Sequence, residues 1–291
     1  MSTRTLISPA QLARPRGKVV YRIVLALVLA GFTLVFLGPL YWLVAGGFKD
    51  AQEVIQTPPT LVPHSFTPEN HSRAWEVMDL AQLLGNTLYY AFGALAFQLV
   101  LDVAAAYSLS KLRPVFGKAI LGLMLATLMI PATVLLVPQY LTVLDVPVVE
   151  RNLLNTPWVI WLPSVTNAFN IFLLKRFFDS IPRELLDAAS MDGASPTRVL
   201  WSVVLPISRP ILGVVSIFAI VGVWKDFLWP MLTLPDPAMQ TLNVGIYSLS
   251  TGVPVNVLIA ALTIACVPTL LIFLVFQRNI MSGLTAGGVK G

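Results

Sequence analysis

Six apolar stretches, each close in length to a membrane-spanning helix, dominate the 291-residue sequence. A helix needs about 20 apolar residues to cross a bilayer, because the hydrocarbon core is about 30 Å thick and the helix rises about 1.5 Å per residue. Only 11% of the residues are charged, whereas a soluble domain carries about 25%. The sequence therefore predicts an all-α, polytopic membrane protein with six transmembrane helices. The stretches are Ile23–Ala45, Leu88–Leu109, Ala119–Leu144, Val159–Leu174, Ile211–Trp229 and Val257–Phe276.

The first stretch also resembles a signal peptide in position, but not in length. Its apolar run exceeds the 7–15 residues of a signal-peptide core, and no small-residue cleavage site follows it. We therefore expect a retained first helix.

The predicted regions are an N-terminal tail (1–19), the first helix (20–46), an external segment (47–83), a five-helix core (84–276) containing loops 179–206 and 230–255, and a C-terminal tail (277–291).

The charges are distributed asymmetrically about these stretches. With six spans and a cytoplasmic N-terminus, fifteen of the nineteen lysines and arginines fall on the cytoplasmic side, and nine of the fourteen acids fall outside. This bias predicts that both termini are cytoplasmic. The net charge of +5 then reflects topology, and we expect no nucleic acid as a partner. The four external basic residues are Lys49, Arg73, Arg151 and Lys225.

The chain shows no signature of catalysis or metal binding. The single cysteine, Cys266, lies within the sixth stretch, and the two histidines, His64 and His71, both lie in the external segment. No Gly-x-Ser-x-Gly or metal-ligand spacing occurs, and no Walker-type phosphate loop is present. We therefore expect no enzyme activity, metal or cofactor on this chain, and any ATP must be hydrolysed by another polypeptide.

The cytoplasmic loop 179–206 is the most informative part of the sequence. Asp179 or Ser180 is a candidate cap for a short helix that Pro182 would begin, and Gly193 would end it in a left-handed conformation. Ser195-Pro196 repeats the cap-and-proline start for a second helix that closes at Leu205-Pro206. The pattern predicts a helix–turn–helix that presents a small apolar face to the cytoplasm. Such a face fits either a protein partner or a connector lying among the lipid headgroups.

The same loop resembles the signature loop of ABC-importer permeases, whose family form is Glu-Ala-Ala, three residues, Gly, and a later Leu-Pro. The resemblance implies the type I importer permease fold and a coupling helix seated in a groove of a cytoplasmic ATPase subunit. Asp187 stands where the family usually has Glu, and Glu184, one turn earlier, is a candidate substitute. By resemblance the ATPase-coupling residues are Ile181, Pro182, Glu184, Leu185, Asp187, Ala188, Ala189, Asp192, Gly193, Leu205 and Pro206.

The C-terminus resembles the tail of the maltose-type carbohydrate permeases. The family usually ends in Gly-Ala-Val-Lys-Gly, and here the tail reads Gly-Gly-Val-Lys-Gly. In that family the tail reaches the ATPase interface, which implies ATPase contacts for Gly287, Val289 and Lys290. The alternative for so glycine-rich a stretch is a disordered tail.

The resemblance also implies the function and the partners. The chain is expected to be the permease subunit of an importer that carries a di- or oligosaccharide or related solute across the bacterial cytoplasmic membrane. Its expected partners are a second homologous permease, two ATPase subunits that bind ATP and Mg, and an extracytoplasmic solute-binding protein docking on loop 230–255. The competing hypotheses are an ion-coupled secondary transporter, which would have paired intramembrane charges and an internal repeat, and a membrane enzyme.

A few polar and aromatic residues are candidates for the solute path. Asn167 and Asn170 lie one turn apart in the fourth stretch, where they could bind solute hydroxyls or join helices. Asp102, an acid inside the second stretch, is expected to face the bundle interior in a structural role. Several predicted spans also contain proline, which either serves packing or lets the helices rock. The solute-path candidates are Asn86, Asn167, Asn170, Trp224 and Asp226.

Overall fold

The computed structural model describes residues 15–147 and 150–286 as a helical protein. The predicted all-α membrane architecture is confirmed in this part of the chain, where long apolar helices dominate and no strand is formed. The helices are α1 Pro15–Gly47, α2 Ala51–Ile55, α3 Glu69–Val77, α4 Leu80–Tyr107, α5 Gly117–Thr127, α6 Ala132–Leu144, α7 Trp158–Ser164, α8 Ala168–Asp179, α9 Arg183–Met191, α10 Pro196–Val199, α11 Leu205–Ile207, α12 Arg209–Lys225, α13 Leu228–Thr233, α14 Leu242–Leu249 and α15 Val255–Ala286. A π-helical turn at Ser108–Leu112 extends α4, another at Leu200–Val204 joins α10 to α11, and Pro237–Met239 forms a 3-10 turn.

The chain divides into two compact units, residues 1–74 with 253–263 and residues 75–252 with 264–291. In the first unit the end of α1 packs on the start of α15. The hydroxyl of Thr263 donates to the carbonyl of Leu43 at 3.1 Å, and the Asn256 amide donates to Oδ1 of the buried Asn70 at 2.8 Å. These side-chain bonds hold the polar segment after α1 against a helix that is distant in sequence.

In the second unit α4 is the central helix, with a buried cluster at each end. Near its start, Tyr90, Ala91 and Ala94 pack with α7, α12 and α13. Near its end, Val103, Ala106 and Tyr107 pack with α8, α10 and α12. Since a helix rises about 1.5 Å per residue, the clusters lie about 20 Å apart along α4.

The predicted count of six transmembrane helices is not confirmed. In the described residues three helices are long and apolar enough to cross a membrane, namely Pro15–Gly47, Leu80–Leu112 and Val255–Gln277. Two bent helix pairs raise the number to five if each pair is one span. The predicted third span is one of these pairs, because α5 and α6 meet at 100°. Pro131 lies at that bend with φ −58° and ψ 130° and has no N–H to continue the helix.

The predicted fourth span is also interrupted. It forms the short helices α7 and α8, separated by residues 165–167. Asn167 has extended backbone at φ −132° and ψ 116°, and its side chain caps α8 by accepting from the N–H groups of Phe169 and Asn170 at 3.0 and 3.1 Å. The break exposes backbone groups in the middle of an apolar stretch, and those groups must find partners elsewhere.

Candidate functional site

The 179–206 segment forms the predicted helix–turn–helix, but its first helix is not capped by the residues expected to cap it. Helix α9 begins at Arg183 directly after Pro182, and no side chain caps it. Asp179 and Ser180 belong to the end of α8, so their predicted capping role is wrong. The second start is confirmed, because Ser195 Oγ accepts the N–H of Arg198 at 3.4 Å and Pro196 is the first residue of α10.

The turn between α9 and α10 has the predicted glycine conformation. Gly193 has φ +80°, which favours glycine because a Cβ is strained there. Its N–H donates to the carbonyl of Ser190, and the N–H of Ala194 donates to the carbonyl of Ala189, both at 3.0 Å. These two bonds are those of a Schellman motif, which satisfies carbonyls at a helix C-terminus. The sharp turn is therefore fixed by the backbone around Gly193.

Helix α9 has one face toward the protein and one toward its surroundings. Leu186 and Ala189 are half-buried and pack against the cluster that contains Phe178 and Val199. Away from this contact Ala188 is exposed, Leu185 is 47% exposed and Met191 is 89% exposed. The two neighbouring alanines therefore have different surroundings. We call Leu185, Ala188 and Met191 the outward face of α9.

Three hydrogen bonds fasten the segment to the end of α4. The Tyr107 hydroxyl donates to the carbonyl of Pro196 at 2.9 Å, and Lys111 Nζ donates to the carbonyl of Ile181 at 3.3 Å. The Ser110 hydroxyl donates to Asp179 at 2.6 Å. The three acceptors lie before and after α9, so both ends of that helix are connected to the end of α4 through their neighbouring residues.

Charge holds the same junction together. Lys175 Nζ forms an ion pair of 2.6 Å with Oδ2 of Asp179. Burial alone would raise the pKa of Asp179, but hydrogen bonds from Lys175 and Ser110 and the positive charges of Lys175 and Lys111 hold that pKa below its usual value. Asp187 lines the groove beside this junction together with Lys111, Arg113 and Arg183, and Glu184 and Asp192 are exposed.

Two adjoining cavities lie nearer the middle of α4, at the break between α7 and α8. One, of about 400 Å³, is bounded by α4, α7, α8 and α12, and the other, of about 490 Å³, by α6, α7, α12 and α13. Among the described residues that line them, Asp226 is the only one with a formal charge. The residues shared by both cavities are Pro163, Ser164, Asn167, Gly222 and Val223.

The predicted solute-path residues fall into two groups. Asn167 lines both cavities, Asn170 the first and Asp226 the second. Asn86 and Trp224 line neither. The Asn86 amide donates to the carbonyls of Ala238 and Gln240 at 2.9 and 3.0 Å, and Trp224 is buried, with its carbonyl accepting from Asn243 at 2.8 Å.

Asp102 accepts a backbone hydrogen bond at the break between α7 and α8. It is fully buried, and its Oδ1 accepts the backbone N–H of Asn167 at 3.0 Å. The carboxyl group thereby satisfies a backbone N–H group that has no helical partner at the break. The predicted structural role for Asp102 agrees with this geometry.

Sequence reasoning missed several polar residues that line the cavities. Gln98, Ser164 and Thr166 line the first cavity, and Thr133 and Gln139 the second. The one available signal was Pro163, which marks a possible interruption of the fourth stretch. The predicted tail contacts Gly287, Val289 and Lys290 lie outside the described residues.

A family model described as "Binding-protein-dependent transport system inner membrane component" matches residues 98–285. These residues include the 179–206 segment, the residues that line both cavities and the last third of α4. The chain therefore belongs to this family of inner membrane components. It is a permease subunit of an ABC importer and not an enzyme; ATP is hydrolysed on a separate subunit, and the system depends on a solute-binding protein.

Known relatives match nearly the whole chain. The sulfoquinovosyl glycerol transport system permease protein SmoH of Agrobacterium fabrum is 34% identical over 257 residues, covering 87% of this chain and 88% of the relative. The sn-glycerol-3-phosphate transport system permease protein UgpE of Yersinia pestis is 30% identical over 261 residues, covering 86% and 91%.

A solved structure supports the fold. A chain from the crystal structure of a bacterial ABC transporter involved in the import of the acidic polysaccharide alginate superposes with a TM-score of 0.79 at 23% identity, covering 91% of this chain and 98% of that one. The bent helix pairs thus belong to an ABC-importer permease fold.

Proposed function

We propose that this chain forms half of the membrane pathway of an ATP-driven carbohydrate importer. It pairs with a second homologous permease, with two ATPase subunits that bind ATP and Mg, and with an extracytoplasmic solute-binding protein. Support for a carbohydrate or carbohydrate-like solute comes from the relatives, whose names specify sulfoquinovosyl glycerol and glycerol-3-phosphate. The observation that carries the proposal is the outward face of α9, an apolar surface on a helix fastened to α4.

The coupling role follows from that geometry. An apolar face with a small central residue, Ala188, allows close approach by another protein. When the ATPase moves, α9 moves with it, and the bonds from Tyr107 and Ser110 carry the displacement into α4. We assign the ATPase-coupling role to the residues between 181 and 206 that match the family's signature loop. Asp187 lies beside the basic groove, and Glu184 is exposed and available to pair with a cationic side chain of the ATPase. The tail residues Gly287, Val289 and Lys290 complete the ATPase contact.

The orientation follows from charge. The end of α4 that carries α9 also carries a group of basic residues, and positive charge collects on the cytoplasmic side of inner membrane proteins. On this basis we assign α9 and both termini to the cytoplasm, and loop 230–255 to the outside, where it would meet the solute-binding protein. The basic residues at this end are Lys111, Arg113, Lys175, Arg176, Arg183 and Arg198.

The two cavities are the proposed solute path. Their polar lining consists mainly of amides and hydroxyls, which donate to and accept from sugar hydroxyls. Phe169, Phe218 and Trp229 add apolar faces of the kind on which a sugar ring packs. Because α4, α7, α8 and α12 bound the first cavity, a movement of α4 changes its shape and could open it alternately to the two sides.

Uptake by the complex reconstituted in proteoliposomes tests this function. We expect labelled solute to accumulate only when the ATPase subunits, ATP and the solute-binding protein are all present. Collapse of proton and sodium gradients should leave uptake unchanged. Uptake that continues without ATP and stops when a gradient collapses would instead establish an ion-coupled transporter. Cross-linking of a Met191→Cys variant to the ATPase, with Glu69→Cys as the control, tests the coupling contact separately.

A further inference from the structure

The segment that follows α1 folds back along the helix. The hydroxyl of Tyr41 donates to the carbonyl of Leu61 at 2.7 Å, although the residues are 20 positions apart. Lys49 points the same way: its ammonium lies 4.5 Å from the centre of the Trp42 ring and donates to the carbonyl of Thr60. Residues 60 and 61 therefore lie beside Tyr41 and Trp42 and not beyond the end of α1 at Gly47.

This level on α1 corresponds to a membrane boundary. The helix has no charged residue between Arg22 and its end, and its apolar window has no residue buried inside the protein. Twenty residues counted from Arg22 reach Trp42, and at about 1.5 Å per residue they cover the ~30 Å hydrocarbon core. Tyrosine and tryptophan are enriched at such boundaries because their rings are amphipathic. Tyr41 and Trp42 thus mark the place where hydrocarbon meets headgroups.

The surface of the returning segment is uncharged, and besides the polar Gln56 and Thr57 it exposes large apolar side chains. No charged residue occurs between Glu53 and His64. Ile55, Leu61 and Val62 are 71%, 70% and 66% exposed. We call these three side chains the apolar tip.

Two of the three charged residues that precede the tip, Lys49 and Glu53, are directed inward, whereas Asp50 is exposed. Glu53 is buried and accepts hydrogen bonds from the Thr60 hydroxyl at 2.6 Å and from the N–H of His64 at 3.0 Å. Lys49 is 2% exposed. The two charges are therefore satisfied within the fold, and the exposed surface of the tip carries none.

The backbone of the segment also suits a place with little water. Pro58, Pro59 and Pro63 have no N–H group that would need a partner. The carbonyls of Thr60 and Leu61 are already occupied by Lys49 and Tyr41. An irregular segment tolerates the edge of a bilayer only when its polar backbone groups are few or satisfied.

We propose that the apolar tip inserts into the interfacial region of the adjacent leaflet and anchors residues 54–63 to the lipid. The lipid is the favoured occupant because the tip lies beside Tyr41 and Trp42, at the level where an apolar helix with no residue of its window buried inside the protein leaves the hydrocarbon core. This anchor is independent of the solute and of the coupling mechanism. It fixes the height of the polar segment 64–74 above the membrane.

Spin labels test the proposal in the assembled importer within phospholipid nanodiscs. Nitroxides are attached to Leu61→Cys and Val62→Cys in a Cys266→Ala background, and to Glu69→Cys, an exposed residue outside the tip, as the control. Collisions are measured with oxygen, which concentrates in lipid, and with a nickel chelate, which stays in water. We expect oxygen to dominate at positions 61 and 62 and nickel to dominate at position 69.

Other outcomes overturn the anchor. Dominance of nickel at all three positions would place the tip in water. Exclusion of both reagents at 61 and 62 would mean that another subunit covers it. Loss of oxygen access only after the solute-binding protein is added would make the tip a protein docking surface. In a second variant, Leu61→Asp is combined with the spin label at position 62. If lipid contact anchors the segment, the label in this variant should become accessible to the nickel chelate.

Discussion

The Ser110 hydroxyl at the end of the α4 span donates a hydrogen bond of 2.6 Å to Oδ1 of Asp179, the last residue of α8. The other carboxylate oxygen accepts from Lys175, also at 2.6 Å. One side chain therefore joins the central helix of the second unit to the helix that leads into α9. Because α9 carries the exposed face proposed to meet the ATPase, this junction lies on the path from ATP hydrolysis to the cavities.

Removal of the Asp179 charge should weaken this junction in a pH-dependent way. The pKa of Asp179 is held below its usual value, so its contribution to stability is present above the unfolded-state pKa, about 3.9, and is lost as pH falls through the folded-state pKa. The carboxylate is 40% exposed, so solvent limits the contribution to about 1 kcal/mol or less.

The measurement is the unfolding midpoint of Asp179→Asn in detergent from pH 7 down to pH 3. The variant should be less stable than the unchanged protein at pH 7 and should converge with it at the acid end. A Glu76→Asn variant, which alters an exposed acid elsewhere, is the control. A difference that stays constant over the whole range would contradict the role of the charge.

Substitution of Gly193 by valine should uncouple the importer. At φ +80° a residue with a Cβ costs about 1–2 kcal/mol, which corresponds to a factor of about 5–30 in an equilibrium constant. A Cβ at this position meets no atom within 4 Å, so the effect is conformational. ATP-dependent uptake should fall while the membrane content of the protein is unchanged. Gly193→Asn should retain most of the uptake, because asparagine tolerates the left-handed region. Equal uptake by the valine variant would oppose the coupling role of the turn.

Ala188 and Ala189 should respond differently to the same large side chain. Ala188→Trp adds an indole to the outward face of α9, so stability should change by about 0.5 kcal/mol or less while assembly with the ATPase fails. Ala189→Trp inserts the indole against the cluster around Phe178 and should destabilise the protein by about 1–3 kcal/mol. Thermal unfolding and co-purification with the ATPase distinguish the two. Normal assembly of the Ala188 variant would exclude the outward face as the docking surface.

A bulky residue at Gly222 should obstruct the proposed solute path. Gly222 lines both cavities, and a Cβ there meets no atom within 4 Å. Gly222→Phe should therefore fold and should still support ATP hydrolysis, but uptake should fall sharply because the ring fills the space. Gly122→Phe is the matched control, since Gly122 also has no atom near a Cβ and lines neither cavity. Similar uptake by both variants would place the solute path elsewhere.

Local sequence patterns were sufficient for the membrane class and for the 179–206 turn. The length of an apolar run decides whether a helix can cross a bilayer, and that length is read directly from the chain. Gly193 and the Ser195-Pro196 pair act through their own backbone geometry, so their effect needs no knowledge of distant residues. The start of α9 was misassigned because Asp179 finds better partners in Lys175 and in Ser110, which is 69 residues away.

The tertiary structure alone decided where the spans are interrupted and what the interruptions serve. Asn167 caps the start of α8 inside an apolar stretch, and Asp102, 65 residues earlier, accepts its backbone N–H. The same break opens the space where Ser164, Asn167 and Gly222 meet. The periodicity of α9 also does not decide whether Ala188 or Ala189 faces outward. That depends on which side of α9 packs against the neighbouring helices. Runs of adjacent residues thus fix the helices and the turn at Gly193, whereas partners distant along the chain determine the bends, the cavities and the exposed face.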